Sequence, residues 1–360
     1  MSGVGLYIHM PYCRVACPYC DFVKKPISGD VPGEFGQALC REIAAGSKGL
    51  PAQSVFFGGG TPSLLTPDAL AAIMETLRTH YDMQSPEVSL EANPDDVTLE
   101  RCRAWQGAGV NRIMLGVQSF DDETLRYLGR CHDSKTARKA CGIVASEFDN
   151  WGLDLIFGAR PSPSLAKSLD VCIEFSPPHV STYGLTYEER TPFWKHRAEA
   201  IEDDDSLALY RMAMDRLVEY AHYEVSNFAR PGSESRHNGI YWRNEEYHGF
   251  GPGAYSYRGR IRSRNHPGVP GYLKDPGRKS ETLELNAQEI RVETLIQHFR
   301  TRRGLAAAYY EARFDTPLAA DFGEELDGLT RRGLLEGDGK RIWPTRKGYE
   351  LNNEIGLALV

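Results

Sequence analysis

Apolar residues recur along the chain in six short runs: Gly5 to His9, Ser54 to Phe57, Glu87 to Leu90, Arg112 to Val117, Gly152 to Phe157 and His179 to Gly184. Runs of this length read as strands. Between most of them the apolar positions switch to a helical period. In Pro67 to His80 the residues Leu70, Ile73, Met74 and Leu77 share one face, and Asp121 to Leu128 opens on acidic residues that suit a helix N-terminus. Strand alternating with helix predicts an α/β fold whose strands pair in parallel through right-handed crossovers. Six such units suit a partial barrel better than a complete eight-unit one. Periodicity alone does not separate that open barrel from a doubly wound sheet.

Asp203 to His222 predicts a long helix, with acidic residues at its start and Leu207, Tyr210, Met214, Leu217 and Ala221 along one face. The texture changes after Asn227. Arg230 to Gly277 is rich in Gly, Pro, Tyr and Arg, which predicts an irregular, extended or β-containing segment laid against the barrel. From Asn286 the pattern is helical again: Asn286 and Glu289 have capping-box spacing, Ile290, Leu295, Ile296 and Phe299 form the stripe, and Gly304 stands where a C-cap is expected. Two more helical stretches and a hairpin around Gly337-Asp338-Gly339 complete a small domain of winged-helix order. The expected divisions are residues 1–225 for the barrel, 226–285 for the extension and 286–360 for the C-terminal domain.

A chain of 360 residues with 41% hydrophobic content can bury a large core in two or three domains. No apolar run approaches the roughly 20 residues that cross a bilayer, so no transmembrane segment is expected. A net charge of −7 argues against a general nucleic-acid binder, which needs a clustered basic surface. Arg331, Arg332, Lys340, Arg341, Arg346 and Lys347 make the last domain locally basic; solvation or anion contact both account for this, and a packing or partner-docking role is expected. Met1 to Gly5 has neither the basic region nor the apolar stretch of a signal peptide, so the expected location is the cytoplasm, where thiols stay reduced.

The thiols carry the strongest chemical signal. Cys13, Cys17 and Cys20 follow the first strand in a loop that Pro11 and Pro18 keep from being helical. Their spacing wraps three thiolates around three corners of an iron-sulfur cube, and no fourth cysteine lies close enough to take the last iron. An iron left open binds a cofactor or substrate directly. A structural zinc site is the alternative, but it wants four ligands, commonly in two pairs, and Cys40, Cys102, Cys131, Cys141 and Cys172 are scattered singly.

Other polar residues fall where parallel barrels bind ligands. The second strand ends in Gly58-Gly59-Gly60-Thr61, which lets backbone approach a ligand closely; the lysine of a phosphate-binding loop is absent. Glu91, Gln118 and Asp154 sit at or near the carboxyl ends of apolar strands. A single such residue is as readily a structural hydrogen bond or a helix cap. Together they favour a site.

The segment Tyr7 to Phe22 resembles the cysteine signature of the radical S-adenosylmethionine superfamily, and its flanks are similar to the oxygen-independent coproporphyrinogen oxidase-like branch. The resemblance runs over nearly the whole chain and implies the partial (β/α)6 barrel. It also implies a 4Fe-4S cluster on Cys13, Cys17 and Cys20, and S-adenosylmethionine held by Tyr7, Tyr19, Gly59, Gly60, Thr61, Glu91, Gln118, Arg130 and Asp154. In that family the methionyl amine and carboxylate chelate the open iron, and one electron from the reduced cluster yields a deoxyadenosyl radical. Two departures weigh against an oxidase. Asp21-Phe22 stands where the oxidases carry a further cysteine, and, with the first strand starting a few residues in, their N-terminal extension is not expected here. No catalytic residue is assigned.

Arg236 to Trp242 reads Arg-His-Asn-Gly-Ile-Tyr-Trp and resembles the His-Asn-x-x-Tyr-Trp motif of the heme chaperones in this branch. An imidazole can ligate heme iron while aromatic rings cover the porphyrin. His237, Asn238, Tyr241 and Trp242 are therefore the heme candidates, with heme-acceptor proteins as partners of a monomer or dimer. A coproporphyrinogen III oxidase and a zinc-stabilised scaffold are the rival readings. Downstream, Arg258, Arg260, Arg262 and Arg264 share one face if the stretch is extended, a repulsive arrangement that acidic residues of the same chain, porphyrin propionates or an acidic partner would offset. The glycine-rich Gly249 to Ala254 permits close approach by a flat ligand or simply forms a turn.

Overall fold

A computed structural model describes residues 3–46, 49–160 and 165–360. All six apolar runs are strands. β1 (Val4–Met10), β2 (Leu50–Gly59), β3 (Glu87–Ala92), β4 (Arg112–Gln118), β5 (Trp151–Phe157) and β6 (His179–Gly184) pair in parallel in chain order. The connections carry α1 (Gly33–Ala45), α2 (Pro67–His80), α3 (Leu99–Ala108), α4 (Asp122–Tyr127), α5 (Ser134–Glu147) and α6 (Leu165–Phe175). Side chains alternate across each strand. Along β1, Leu6, Ile8 and Met10 are fully buried in the main core, while Tyr7 and His9 fall on the opposite, barrel-facing side. Local signals agree with the elements they begin: Thr66 caps α2 through Ala69 N at 3.2 Å, and Asp121 caps α4 through Thr124 N at 3.0 Å.

The long helix predicted over Asp203 to His222 is shorter. α7 (Asp203–Arg216) stops, and the chain turns into β7 (Ala221–Glu224), which pairs antiparallel with β8 (Asn227–Ala229), itself antiparallel to β6. Ala221 and His222 thus satisfy their backbone groups in a sheet, and the expected boundary at residue 225 falls inside a hairpin.

The extension is also more ordered than expected, and it continues the barrel sheet. α8 (Arg236–Trp242) leads into β9 (Tyr247–Phe250), a seventh parallel strand beside β1 with Gly5 opposite Tyr247 and Ile8 opposite Phe250. β10 (Tyr255–Arg258), β11 (Ile261–Asn265) and β12 (Lys279–Glu284) then add antiparallel strands, with α9 (Val269–Lys274) between the last two. The four arginines do not share one strand, because the chain reverses at Gly259, where φ is +61°. Acidic residues of the same chain meet two of them: Arg262 forks onto Glu293, with Nε 3.1 Å from both carboxylate oxygens, and Arg264 reaches Glu281 at 3.2 Å. The Gly249 to Ala254 glycines admit the protein's own backbone. A Cβ on Gly249 would lie 2.0 Å from Tyr255 O, and one on Gly251 2.4 Å from His9 O.

A second core, from Leu295 to Leu359, is separate from the first. It is built on α10 (Ala287–His298), β13 (Leu305–Ala306), α11 (Ala307–Phe314), α12 (Leu318–Arg331), the hairpin β14 (Leu335–Gly337) and β15 (Arg341–Pro344), α13 (Arg346–Glu350) and α14 (Asn352–Leu357). The Asn286–Glu289 capping box is present. Gly304 is not the C-cap: α10 ends at His298 with Phe299 as its cap, and Gly304 instead lets the chain pass over Ile342, whose carbonyl oxygen an added Cβ would meet at 2.0 Å. This unit joins the barrel through Val225 N to Arg300 O at 3.0 Å and Arg302 N to Tyr223 O at 2.9 Å.

Candidate functional site

The cysteine loop emerges from the carboxyl end of β1 and is stitched down at several points. Lys25 N donates to Pro11 O at 2.6 Å, Ile27 N to Cys13 O at 2.9 Å and Phe193 N to Pro18 O at 3.1 Å. Arg14 pairs with Asp96, which also accepts from Ser63 Oγ at 2.7 Å, and Arg190 holds Asp21 at 2.8 Å. Cys13 is buried, and Cys17 and Cys20 are half-buried. Burial pushes the Cys13 and Cys20 thiols up, with a Thr61 hydrogen bond opposing this at Cys13.

The triple glycine lies directly against this loop. Gly60 N donates to Met10 O at 2.5 Å, and a Cβ added to Gly60 would lie 2.7 Å from the carbonyl oxygens of Met10 and Tyr12 and 2.9 Å from Cys13 Sγ. Only a glycine fits. Gly59 has φ +106°, and its N–H donates to Glu91 Oε2 at 3.2 Å.

Beneath the loop, the barrel gathers charge. Burial first, and then the neighbouring Asp154, push the Glu91 carboxyl up to about 8. Burial raises Asp154 to about 6 against the pull of Ser181, Arg112 and Arg130. Two desolvated acids in one barrel call for a cationic occupant. Gln118 adopts φ +67°, a left-handed conformation uncommon outside glycine, at a register shift between β4 and β5. Arg130 ties the site together: it reaches Cys17 Sγ at 3.4 Å, Asn93 Oδ1 at 2.6 Å and Gly116 O at 2.8 Å, and it also bonds Tyr19. Tyr7 donates to His9 Nδ1 at 3.2 Å while His9 Nε2 donates to Val23 O at 2.8 Å.

Cys13, Cys17, Cys20, Tyr7, Tyr19, Gly59, Gly60, Thr61, Glu91, Gln118, Arg130 and Asp154 therefore lie in one barrel and its cysteine-bearing mouth. Asn93 and Ser181 belong with them and were not singled out from sequence. Asn93 joins Arg130 to Thr61 (Nδ2 to Oγ1, 3.3 Å), and Ser181 stands beside Asp154 in register. Asn93 lies two residues beyond Glu91, so the strand-end rule extended by one pleat finds it.

His237 to Trp242 does not join that mouth. α8 precedes β9, so it closes the opposite end of the barrel, its N-terminus held by Glu87 Oε1 at 3.0 Å from Arg236 N. His237 is buried between Phe56 and Tyr241, with Nδ1 2.8 Å from Ser54 Oγ and Nε2 2.8 Å from Tyr241 Oη. Burial drives its pKa down to about 3. Both ring nitrogens are engaged, so in this arrangement the imidazole offers none to a heme iron. Asn238 N is capped by Ser235, and Trp242 is overlain by Arg300 at 5.0 Å.

The donor set fits a cluster. Of the three thiols of one loop, Cys13 meets the glycine rim, while among the described residues no three His, Cys, Asp or Glu side chains gather as around a single ion. Such a gathering is what a zinc scaffold requires; a cube sets each thiol on its own iron.

A parallel barrel with this loop after its first strand defines a radical S-adenosylmethionine protein: residues 7–160 match the Radical SAM superfamily profile, and residues 285–351 match the HemN C-terminal domain. This family implies a 4Fe-4S cluster and S-adenosylmethionine. The chain is 33% identical to the heme chaperone HemW of Lactococcus lactis over 97% of its length and 95% of that protein's, and 32% identical to that of Bacillus subtilis over 97% of each. It belongs to the HemW family. Its fold is that of coproporphyrinogen III oxidase (HemN) from Escherichia coli, with TM-score 0.85 and 22% identity over 99% of this chain and 90% of that one.

Proposed function

We propose that this protein binds heme and hands it to acceptor proteins in the cytoplasm, acting as a monomer or dimer, from a scaffold that carries a 4Fe-4S cluster on Cys13, Cys17 and Cys20 and S-adenosylmethionine beneath it. The observation that carries the reading is the contact of Gly60 with Cys13, set in a chain similar over nearly its full length to proteins named heme chaperones. When bound, the cluster supplies single electrons and an open iron. The chain's own residues do the rest. Gly59 and Gly60 admit the methionyl group, Glu91 and Asp154 draw its cationic end, and Arg130 keeps the loop and barrel in one body while answering the carboxylate. Tyr7, Tyr19, Thr61 and Gln118 line the remaining walls. In this reading His237, Asn238, Tyr241 and Trp242 serve as the barrel floor.

Anaerobic reconstitution followed by heme titration tests the proposal. Stoichiometric heme on cluster-loaded protein, with no protoporphyrinogen formed from coproporphyrinogen, is the expected result. Product formation moves the protein to the oxidase reading, which Asp21, engaged by Arg190, and the exposed Phe22 in place of a further cysteine oppose.

A further inference from the structure

An open cleft of about 920 Å³ between the two cores lies far in sequence from the cysteines, and its lining is basic in a chain whose net charge is −7. Arg302 and Arg303 follow α10, Arg341 comes from β15 and Arg346 opens α13; Glu336 is the one acid on the wall, and it is occupied by Trp343 Nε1 at 2.8 Å. Arg346 is satisfied by Asp215 at 2.8 Å, and Arg341 by the Arg303 carbonyl at 2.7 Å. Arg302 and Arg303 are different: among the described residues their guanidinium groups have no hydrogen bond or ion pair, and both are exposed. Two adjacent unanswered forks are placed for carboxylates. The other wall is aromatic. His222, stacked on the buried Phe228 (4.2 Å, 9°) and tilted against Tyr349 (4.5 Å, 34°), lines it together with Tyr349 and Trp343.

We propose that this cleft between barrel and C-terminal unit binds a planar macrocycle through its carboxylates, with Arg302 and Arg303 as the anchors, and that it is the heme propionate site. The inference rests on the heme-binding reading above. The size suits it, since sites for large cofactors run to about 1,000 Å³. So does the chemistry, which pairs an aromatic wall with cationic forks at one rim.

The test titrates hemin and hemin dimethyl ester, whose propionates are blocked, into cluster-loaded full-length protein and into the Arg302→Gln/Arg303→Gln double variant. Both positions are exposed and unpaired, so the variant keeps the wild-type melting temperature. Hemin is expected to bind wild type about tenfold more tightly than the variant, the sum of two exposed charge pairs, and the ester is expected to bind both proteins alike. Equal hemin affinity in the two proteins overturns this site and leaves the heme reading intact. No stoichiometric hemin on wild type overturns both.

Discussion

Gly60→Ala is the most direct perturbation of the cluster rim. The new Cβ must sit 2.7 Å from two backbone carbonyl oxygens and 2.9 Å from Cys13 Sγ, all well inside normal van der Waals contact. Neither carbonyl belongs to a flexible side chain, so the rim and the loop must separate by several tenths of an ångström. Overpacking of this kind costs about 1–3 kcal/mol. The separation also stretches the 2.5 Å bond from Gly60 N to Met10 O, worth a further ~1 kcal/mol. Because the strain falls between the two walls of the ligand site, a penalty of about 2–4 kcal/mol appears as a ~30- to 1,000-fold loss of S-adenosylmethionine affinity and as incomplete iron loading. The assay is iron and sulfide content after anaerobic reconstitution, followed by calorimetric titration. Gly142→Ala is the control: that glycine lies inside α5 with nothing within 4 Å of an added Cβ, and the change gains about 0.5–1 kcal/mol of helix stability. Full cluster content and unaltered affinity in Gly60→Ala would refute the idea that rim and cysteine loop work as one surface.

Three further outcomes are expected. Glu91 holds its proton to about 8 against a usual 4.5; below pH 4.5 both states are protonated, between 4.5 and 8 only the unfolded chain ionises and stability falls, and above 8 the loss is complete. Urea unfolding of ligand-free wild type should therefore lose a few kcal/mol across that window, and Glu91→Gln should make the fall shallower, the parts due to Asp154, raised to about 6, and Glu224, raised to about 7, remaining. His237→Ala strands Ser54 Oγ and Tyr241 Oη and opens a cavity, so it should cost about 2–5 kcal/mol in thermal or urea unfolding; unchanged stability with heme affinity abolished would favour a ligand over a floor. Arg130→Lys keeps the charge but not the three-way reach to Cys17, Asn93 and Gly116, and titration of the loaded protein should show S-adenosylmethionine binding about 10-fold weaker.

What was legible in the sequence was what repeats locally. The six strands and α2 follow from periods of apolar residues, and the cysteine loop and triple glycine follow from chemistry that tolerates little substitution. What was not legible depends on partners far along the chain. Leu217 and Ala221 continue a helical face on paper, yet the chain exits to pair β7 with β8, a tertiary gain that overrides local period. The alternating arginines read as one strand because a single Gly259 gives little warning of a reversal. The motif at His237 illustrates the limit at the site itself: its composition suggests a metal ligand, while the fold sets it against Ser54, 183 residues away.

The position of α8 has an implication for the order of assembly. A partial barrel stoppered at its amino end is open at the other, and the cysteines stand on that sill. A ligand bound at Glu91 and Asp154 therefore lies behind the cysteine loop, and a cluster seated there before it would form the outer wall of its chamber.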